Sequence, residues 1–210
     1  MTWLVIGGTS GIGAQVVYQA ADRGFAVRAF GRSAAERDFP ANVDAYVGDA
    51  LNNNNIAAAL EGIDVVVQAL GVRERPAMLW ETETLFSSAT QLLIPAMQAS
   101  GARRLITVTG YGAGDSKSTM SKPARLAHNA VLGRVYDDKT RQEAIIEASD
   151  LEWTIVRPTL LTSGSLSKRY KVLSNPQSWR LGMISRADVA HFIINCARDV
   201  LHVKEAVVLA

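Results

Sequence analysis

The densest run of chemically useful residues lies near the start of the chain, at Gly7-Gly8-Thr9-Ser10-Gly11-Ile12-Gly13. It follows an apolar stretch, Trp3 to Ile6, and opens an amphipathic one. Glycines in this order allow a tight strand-to-helix turn and let backbone lie against a pyrophosphate. The helix start then turns unpaired N–H groups and the positive end of its dipole toward the phosphates. Phe30-Gly31-Arg32-Ser33 ends the second apolar stretch, and no carboxylate follows until Glu36. Binders of NAD usually set an acid there against the ribose hydroxyls, whereas an arginine pairs with a 2′-phosphate. Arg32, with Arg37 in support, therefore points to NADP(H) over NAD(H).

Further groups follow the later apolar stretches. Asp49, after Gly48, suits either the adenine amino group or a helix N-cap. Ala69-Leu70-Gly71 is a small turn that either passes against an adenosine ribose or only connects elements. The hydroxyls of Thr109 and Tyr111 suit a substrate carbonyl or a developing oxyanion, or else bonds within their own loop. Tyr136-Asp137-Asp138-Lys139 puts a phenol and an ammonium three residues apart, on one helical face. Lys139 suits a nicotinamide ribose or the lowering of a tyrosine pKa, or a solvated pair with Glu143. His128, His191 and His202 lack the spacing of a zinc site, so no metal is expected. Cys196 reads as a buried, inert thiol. Met78-Leu79-Trp80 and Trp179 suit core packing or the wall of a pocket. Ser185 and Asp188 form a capping-box pattern, and Asn52 to Asn55 a polar turn with a helix N-cap.

These residues need a scaffold of alternating elements. Strands are expected at Trp3–Ile6, Ala26–Phe30, Ala45–Val47, Asp64–Gln68, Arg104–Thr109, Trp153–Arg157 and Glu205–Leu209. Helices are expected at Ile12–Arg23, Asn54–Glu61, Met78–Ser100 with a break or kink near Pro95, Pro123–Ser149 with a weak point at Gly133, and Arg186–Arg198. This alternation specifies an α/β fold, a Rossmann-type doubly wound parallel sheet covered on both faces. Two aperiodic stretches, Gly110–Lys122 and Thr159–Gly182, follow strand ends, where open α/β sheets bind ligands.

The chain has 210 residues, 48% of them hydrophobic and 20% charged, which fits one globular domain over 1–210 with residues 158–183 as a small C-terminal substrate-side extension. The single cysteine excludes a disulfide scaffold. No membrane-length apolar run and no signal-peptide pattern are present, so a cytoplasmic protein is expected. Of 22 basic residues 16 are arginines, scattered rather than clustered, which argues against nucleic acid as a partner. The expected partner is a small-molecule substrate, and the expected state a monomer or weak homodimer.

Together the glycine loop, Gly31-Arg32, Gly48-Asp49, Ala69-Leu70-Gly71, Thr107-Val108-Thr109, Trp153-Thr154-Ile155-Val156-Arg157-Pro158 and Ile184-Ser185-Arg186-Ala187-Asp188-Val189-Ala190 resemble the atypical short-chain dehydrogenases/reductases. The resemblance covers nearly the whole chain. It is strongest to the branch that includes biliverdin reductase B, which is also a flavin reductase, and the NmrA-like proteins. It implies that Gly7, Thr9, Ser10, Gly11, Ile12, Arg32, Asp49, Ala50, Ala69, Leu70, Gly71, Thr109, Pro158, Thr159 and Leu160 line the cofactor, with Pro158 to Leu160 near the nicotinamide. Thr109, Tyr111 and Lys139 are the catalytic candidates. The chain departs from the group at Ser10, where a glycine is usual. It also lacks the serine near Gly110 and the histidine near Leu160 of the biliverdin reductase B pattern. The expected function is NADP(H)-dependent hydride transfer to a small planar or carbonyl acceptor such as a flavin or quinone. The alternatives are a non-catalytic NADP(H)-binding redox sensor, and an epimerase or dehydratase.

Overall fold

The computed structural model describes residues 1–72 and 82–210. Among the described residues seven parallel strands form the sheet: β1 (Thr2–Ile6), β2 (Ala26–Gly31), β3 (Val43–Val47), β4 (Val65–Gln68), β5 (Arg104–Val108), β6 (Glu152–Pro158) and β10 (Glu205–Leu209). A two-residue strand, β8 (Val172–Leu173), adds antiparallel to β10 and completes the order β3-β2-β1-β4-β5-β6-β10-β8. The order reverses between β1 and β4, and at such a point a crevice opens beyond the strand ends. A separate pair, β7 (Leu160–Thr162) with β9 (Met183–Ser185), lies just past β6.

The strands are apolar on both sides because helices cover both faces. Trp3 and Val5 pack with α1 (Gly11–Asp22) and α5 (Arg186–Arg198), through Val16, Val17, Ala20, Ile193 and Ala197. Leu4 and Ile6 face the other way, onto α2 (Asn53–Ala59), α3 (Leu85–Ser100) and α4 (Lys122–Glu147), through Ile56, Leu93, Met97 and Ile146.

The sequence expectations meet this structure unevenly. The doubly wound parallel sheet is present. Asn52 is the N-cap of α2, its side chain accepting from the backbone of Asn54 and Asn55. Ser185 caps α5 by accepting from the Asp188 N–H. Helix α4 runs unbroken through Gly133, and α3 continues through Pro95. The stretch expected to be an unstructured loop after Thr159 contains β7 and β8. Each is two or three residues long and is held by partners 23 or more residues away, too little for periodicity to reveal. The expected start of the third helix and the Met78-Leu79-Trp80 wall lie outside the described residues, and α3 begins at Leu85. Among the described residues no helix is long and apolar enough to cross a membrane.

Candidate functional site

One side of the crevice is made of backbone. The Gly7 and Gly8 N–H groups both donate to the Phe30 carbonyl, at 3.0 and 3.2 Å, and Ala69 N–H donates to Ile6 at 2.9 Å. These bonds gather the ends of β1, β2 and β4. Gly7 has φ +84°, and a Cβ there would sit 2.5 Å from the Ala69 carbonyl oxygen. A Cβ at Gly13 would collide with the Gly7 carbonyl, so this glycine permits helix–strand packing. Gly11, with φ +56°, differs: among the described residues a Cβ there would meet no atom within 4 Å. The first turn of α1 thus opens onto free space. Ser10, its N-cap, makes no side-chain cap bond, and the turn holds no acid. Those N–H groups and that dipole end suit an anion.

Arg32 stands beside this cradle. Thr9 packs against Gly31, where a Cβ would come within 2.9 Å of its methyl group, and this brings the end of β2 against the loop. Arg32 is exposed, and among the described residues its guanidinium has no hydrogen-bond or ion-pair partner. Asp49 is also exposed; its carboxylate accepts from Leu51 N–H at 3.0 Å, and Asn52, not Asp49, caps α2. Ala50 is buried beneath it, and Ala69, Leu70 and Gly71 leave the end of β4 next to Gly7.

The other side is made of buried side chains. Glu143 on α4 accepts from the Thr109 hydroxyl at 2.6 Å and from Arg157 Nε at 3.0 Å, and its second oxygen accepts from Arg157 Nη2 at 2.9 Å. Arg157 and Glu143 are each 1% exposed. The guanidinium also pairs with Asp115 at 2.6 Å and lies over the Trp179 ring, 4.9 Å from its centre. Burial alone would loosen the guanidinium's proton, but Glu143 and Asp115 reverse this and hold its charge more firmly than usual.

Lys139 Nζ donates to the Thr109 carbonyl at 2.6 Å, with the rings of Phe86 and Tyr136 5.0 and 5.3 Å away. Burial pulls its ammonium down to about 8, against the opposing pull of Glu143. The Tyr136 hydroxyl lies against Gly110, so close that a Cβ at this position would collide with it. Burial, reinforced by the Glu143 charge, raises the phenol's pKa and keeps it protonated. Neighbouring Asp138 is turned away from the site. It is fully buried and accepts from the N–H groups of Phe86 and Ser87, capping α3 from outside.

This geometry corrects several expectations. Lys139 is not a solvated partner of Glu143, because Thr109 and Arg157 occupy that carboxylate. The Thr109 proton is committed to Glu143, so the hydroxyl has none to offer a substrate carbonyl. Tyr111 is 5% exposed, and its hydroxyl meets Thr119 Oγ1 at 3.1 Å inside the loop. Its ring clusters with Leu173, Trp179 and Val208, so Trp179 is packing there rather than an open wall. Pro158 and Thr159 are buried, the Thr159 hydroxyl donating to Leu209 at 2.9 Å, while Leu160 is exposed at the rim. Tyr136, Glu143 and Arg157 were not among the catalytic candidates. The spacing of Tyr136 from Lys139 was the available signal for the phenol, and Gly110 makes room for it. Cys196 is buried, and burial pushes its thiol up to about 12.

An anion cradle at a strand-order reversal, with an exposed arginine at the end of the second strand, defines a Rossmann-type dinucleotide-binding protein. A family model described as NAD(P)H-binding matches residues 7–200, so the chain belongs to the NAD(P)H-binding family, with which the resemblance to atypical short-chain dehydrogenases/reductases is consistent. Among solved structures it is similar to a Rossmann-fold NAD(P)-binding family protein from Shigella flexneri, with 27% identity, TM-score 0.75 and coverage of 100% of this chain and 92% of the other. It is similar also to ChuY, an anaerobillin reductase from Escherichia coli O157:H7, with 25% identity, TM-score 0.81 and coverage of 100% and 96%. A short-chain dehydrogenase/reductase from Veillonella parvula in complex with NADP shares the fold, with 16% identity, TM-score 0.83 and coverage of 100% and 94%. Comparison with curated proteins gives no match.

Proposed function

We propose that this protein is an NADPH-dependent reductase that passes hydride to a small planar or carbonyl acceptor. One observation carries the reading: an anion cradle flanked by Arg32, which has no side-chain partner among the described residues, faces the same sheet edge as the Tyr136 and Lys139 pair. The similarity to a reductase at 25% identity supports it.

The residues fit the dinucleotide. The first turn of α1 would take the pyrophosphate, Arg32 the 2′-phosphate, and the ends of β4 and β6 the ribose and nicotinamide sides. The bound cofactor supplies the hydride. Tyr136 holds a protonated phenol at the end of β5, and Lys139, anchored on the Thr109 carbonyl, sets a cation beside it. For a carbonyl acceptor Tyr136 would supply the proton that follows hydride. A flavin or quinone needs less from the protein.

The test is NADPH binding, followed by quenching of tryptophan fluorescence, and then turnover with flavins, quinones and small carbonyl compounds. The expected result is turnover with at least one class. Tight NADPH binding with no turnover across the panel would overturn the reductase reading in favour of a redox sensor.

A further inference from the structure

Between buried Val135 and buried Ile146, helix α4 meets its neighbours chiefly through polar side chains, Asp138, Lys139, Gln142 and Glu143. A helix packed on a sheet normally shows an apolar stripe at these spacings. Three of the four have work already described. Asp138 caps α3, Lys139 holds the Thr109 carbonyl, and Glu143 pairs with Arg157. Gln142 is 1% exposed and takes part in none of these. Its Nε2 donates to Gln68 Oε1 at 3.0 Å and to the Thr90 hydroxyl at 3.2 Å. Thr90 in turn can donate to the Phe86 carbonyl, 2.8 Å away within α3.

The far end of this bond gives it meaning. Gln68 ends β4, stands beside Ile6 of β1, and is itself 1% exposed. The next residue is Ala69, whose carbonyl lies against Gly7 in the cradle. Gln142 stands one helical turn beyond Lys139 and next to Glu143. A side-chain bond across 74 residues therefore joins the strand end beside the cradle to the helix that carries Tyr136 and Lys139. The join costs stability. Gln68 Nε2 and Gln142 Oε1 are buried with no partner among the described residues. Two apolar side chains of the same shape would leave neither atom unpaired. Apolar contact, however, lets elements slide, whereas a directional bond between buried polar groups fixes one register.

We infer that Gln142 is a positioning residue: through Gln68 it holds the Tyr136 and Lys139 face of α4 in fixed register with the strand end that borders the bound nucleotide. Buried as it is, it acts through the helix and not on the acceptor. A reacting group displaced by about 1 Å loses on the order of 100-fold in rate, so register here outweighs the stability it costs. The inference rests on the reductase reading for what is positioned, the proton donor to a carbonyl acceptor, but the tie between cradle and helix does not.

The experiment uses Q142L, Q68L/Q142L and Q142M, which remove the amide and nearly keep its volume. Q142L leaves Gln68 Oε1 short of a donor and should melt a few degrees lower. Q68L/Q142L removes both amides and should recover most of that loss. Hydrogen exchange of backbone amides is then measured with and without saturating NADP. In the wild type NADP is expected to slow exchange at residues 7–13 and, through the tie, at residues 136–143. In Q68L/Q142L the slowing at 7–13 should persist, and that at 136–143 should fall about tenfold. With a carbonyl acceptor the kcat of Q68L/Q142L should drop about tenfold or more while KM for NADPH stays within about twofold. A quinone, which needs less from the phenol, should be turned over nearly as before. A merely structural role would give turnover that follows the melting temperature, low in Q142L and restored in Q68L/Q142L. That result would overturn the inference. So would NADP-dependent slowing at 136–143 that is equal in wild type and Q68L/Q142L, or absent from both. Slowing lost in Q68L/Q142L, with no turnover by any of the proteins, would sustain the tie while the reductase reading fails. If Q68L/Q142L does not fold, Q142M takes its place in the exchange and turnover measurements, and the same outcomes decide.

Discussion

Around β1, β2 and β4 the site is made of backbone. Gly7, Gly11 and Gly13 clear space, two N–H groups share the Phe30 carbonyl, and the helix start is left open. Around β5, α4 and β6 it is made of side chains, with Glu143 and Arg157 buried together and Thr109, Asp115 and Lys139 gathered about them. The first side is suited to a ligand whose charge is fixed, because backbone dipoles neither titrate nor rearrange. The second holds groups whose protonation depends on their neighbours, as work on a proton requires. The difference also sets what each side tolerates. An added atom harms the glycine side, whereas a removed charge harms the other.

The largest effect should come from breaking the charged side. Glu143→Ala leaves the Arg157 guanidinium buried with only the exposed Asp115 carboxylate. The expected loss is about 3–5 kcal/mol, the usual result of removing one member of a buried pair, read from urea denaturation midpoints. Glu143→Gln keeps acceptors for Thr109 and Arg157 and should lose less. If Glu143→Ala costs no more than an ordinary surface substitution, this side is not built on its buried charges. Next comes Tyr136→Phe, expected to lower the turnover of carbonyl acceptors about 100-fold or more while leaving NADPH affinity intact. An equal fall with a quinone acceptor would mean that the phenol positions the cofactor instead of supplying a proton.

The sequence was readable where the contacts are local. Gly7 to Gly13 span one turn, and their order alone implies the strand, the turn and the helix. Asn52 and Ser185 cap helices through partners two or three residues on, and both caps are present. The alternation of apolar runs likewise implied a parallel sheet covered on both faces. Glu143 and Arg157 were hidden for the opposite reason. Thr109, the partner of Glu143, lies 34 residues before it and is brought near only by a strand crossover. Nothing in the spacing of Asp138 suggests that it caps a helix 52 residues earlier in the chain. Tyr136 was visible in sequence, but only the close approach of Gly110 shows which way it points.

Two smaller effects test the sides separately. On the glycine side, Arg32→Ala should weaken NADPH binding about tenfold, as expected for losing a charge-assisted hydrogen bond to phosphate, and leave NADH nearly unaffected. Competitive titration of the two cofactors measures this. Equal losses would show that Arg32 does not read the 2′-phosphate but serves a part common to both cofactors.

On the charged side, the smallest effect concerns Lys139 and its dependence on pH. In the unfolded chain its amine holds a proton up to about 10.5, whereas in the folded chain burial lowers this to about 8. Below 8 both states are protonated, and the fold bears the full penalty of a buried ammonium. Between 8 and 10.5 the unfolded state binds more protons, so stability rises with pH and the penalty disappears. Lys139→Met removes the ammonium. It should stabilise the protein at pH 7 by on the order of 1 kcal/mol, since the side chain is half-buried and partly screened. That gain should vanish, or reverse through the lost bond to the Thr109 carbonyl, by pH 10.5. Denaturation of both proteins at several pH values isolates this residue, because every other titration is common to the two. A difference that stays constant across the range would mean that Lys139 keeps an ordinary ammonium, and that the β5 end of the site does not tune its protons.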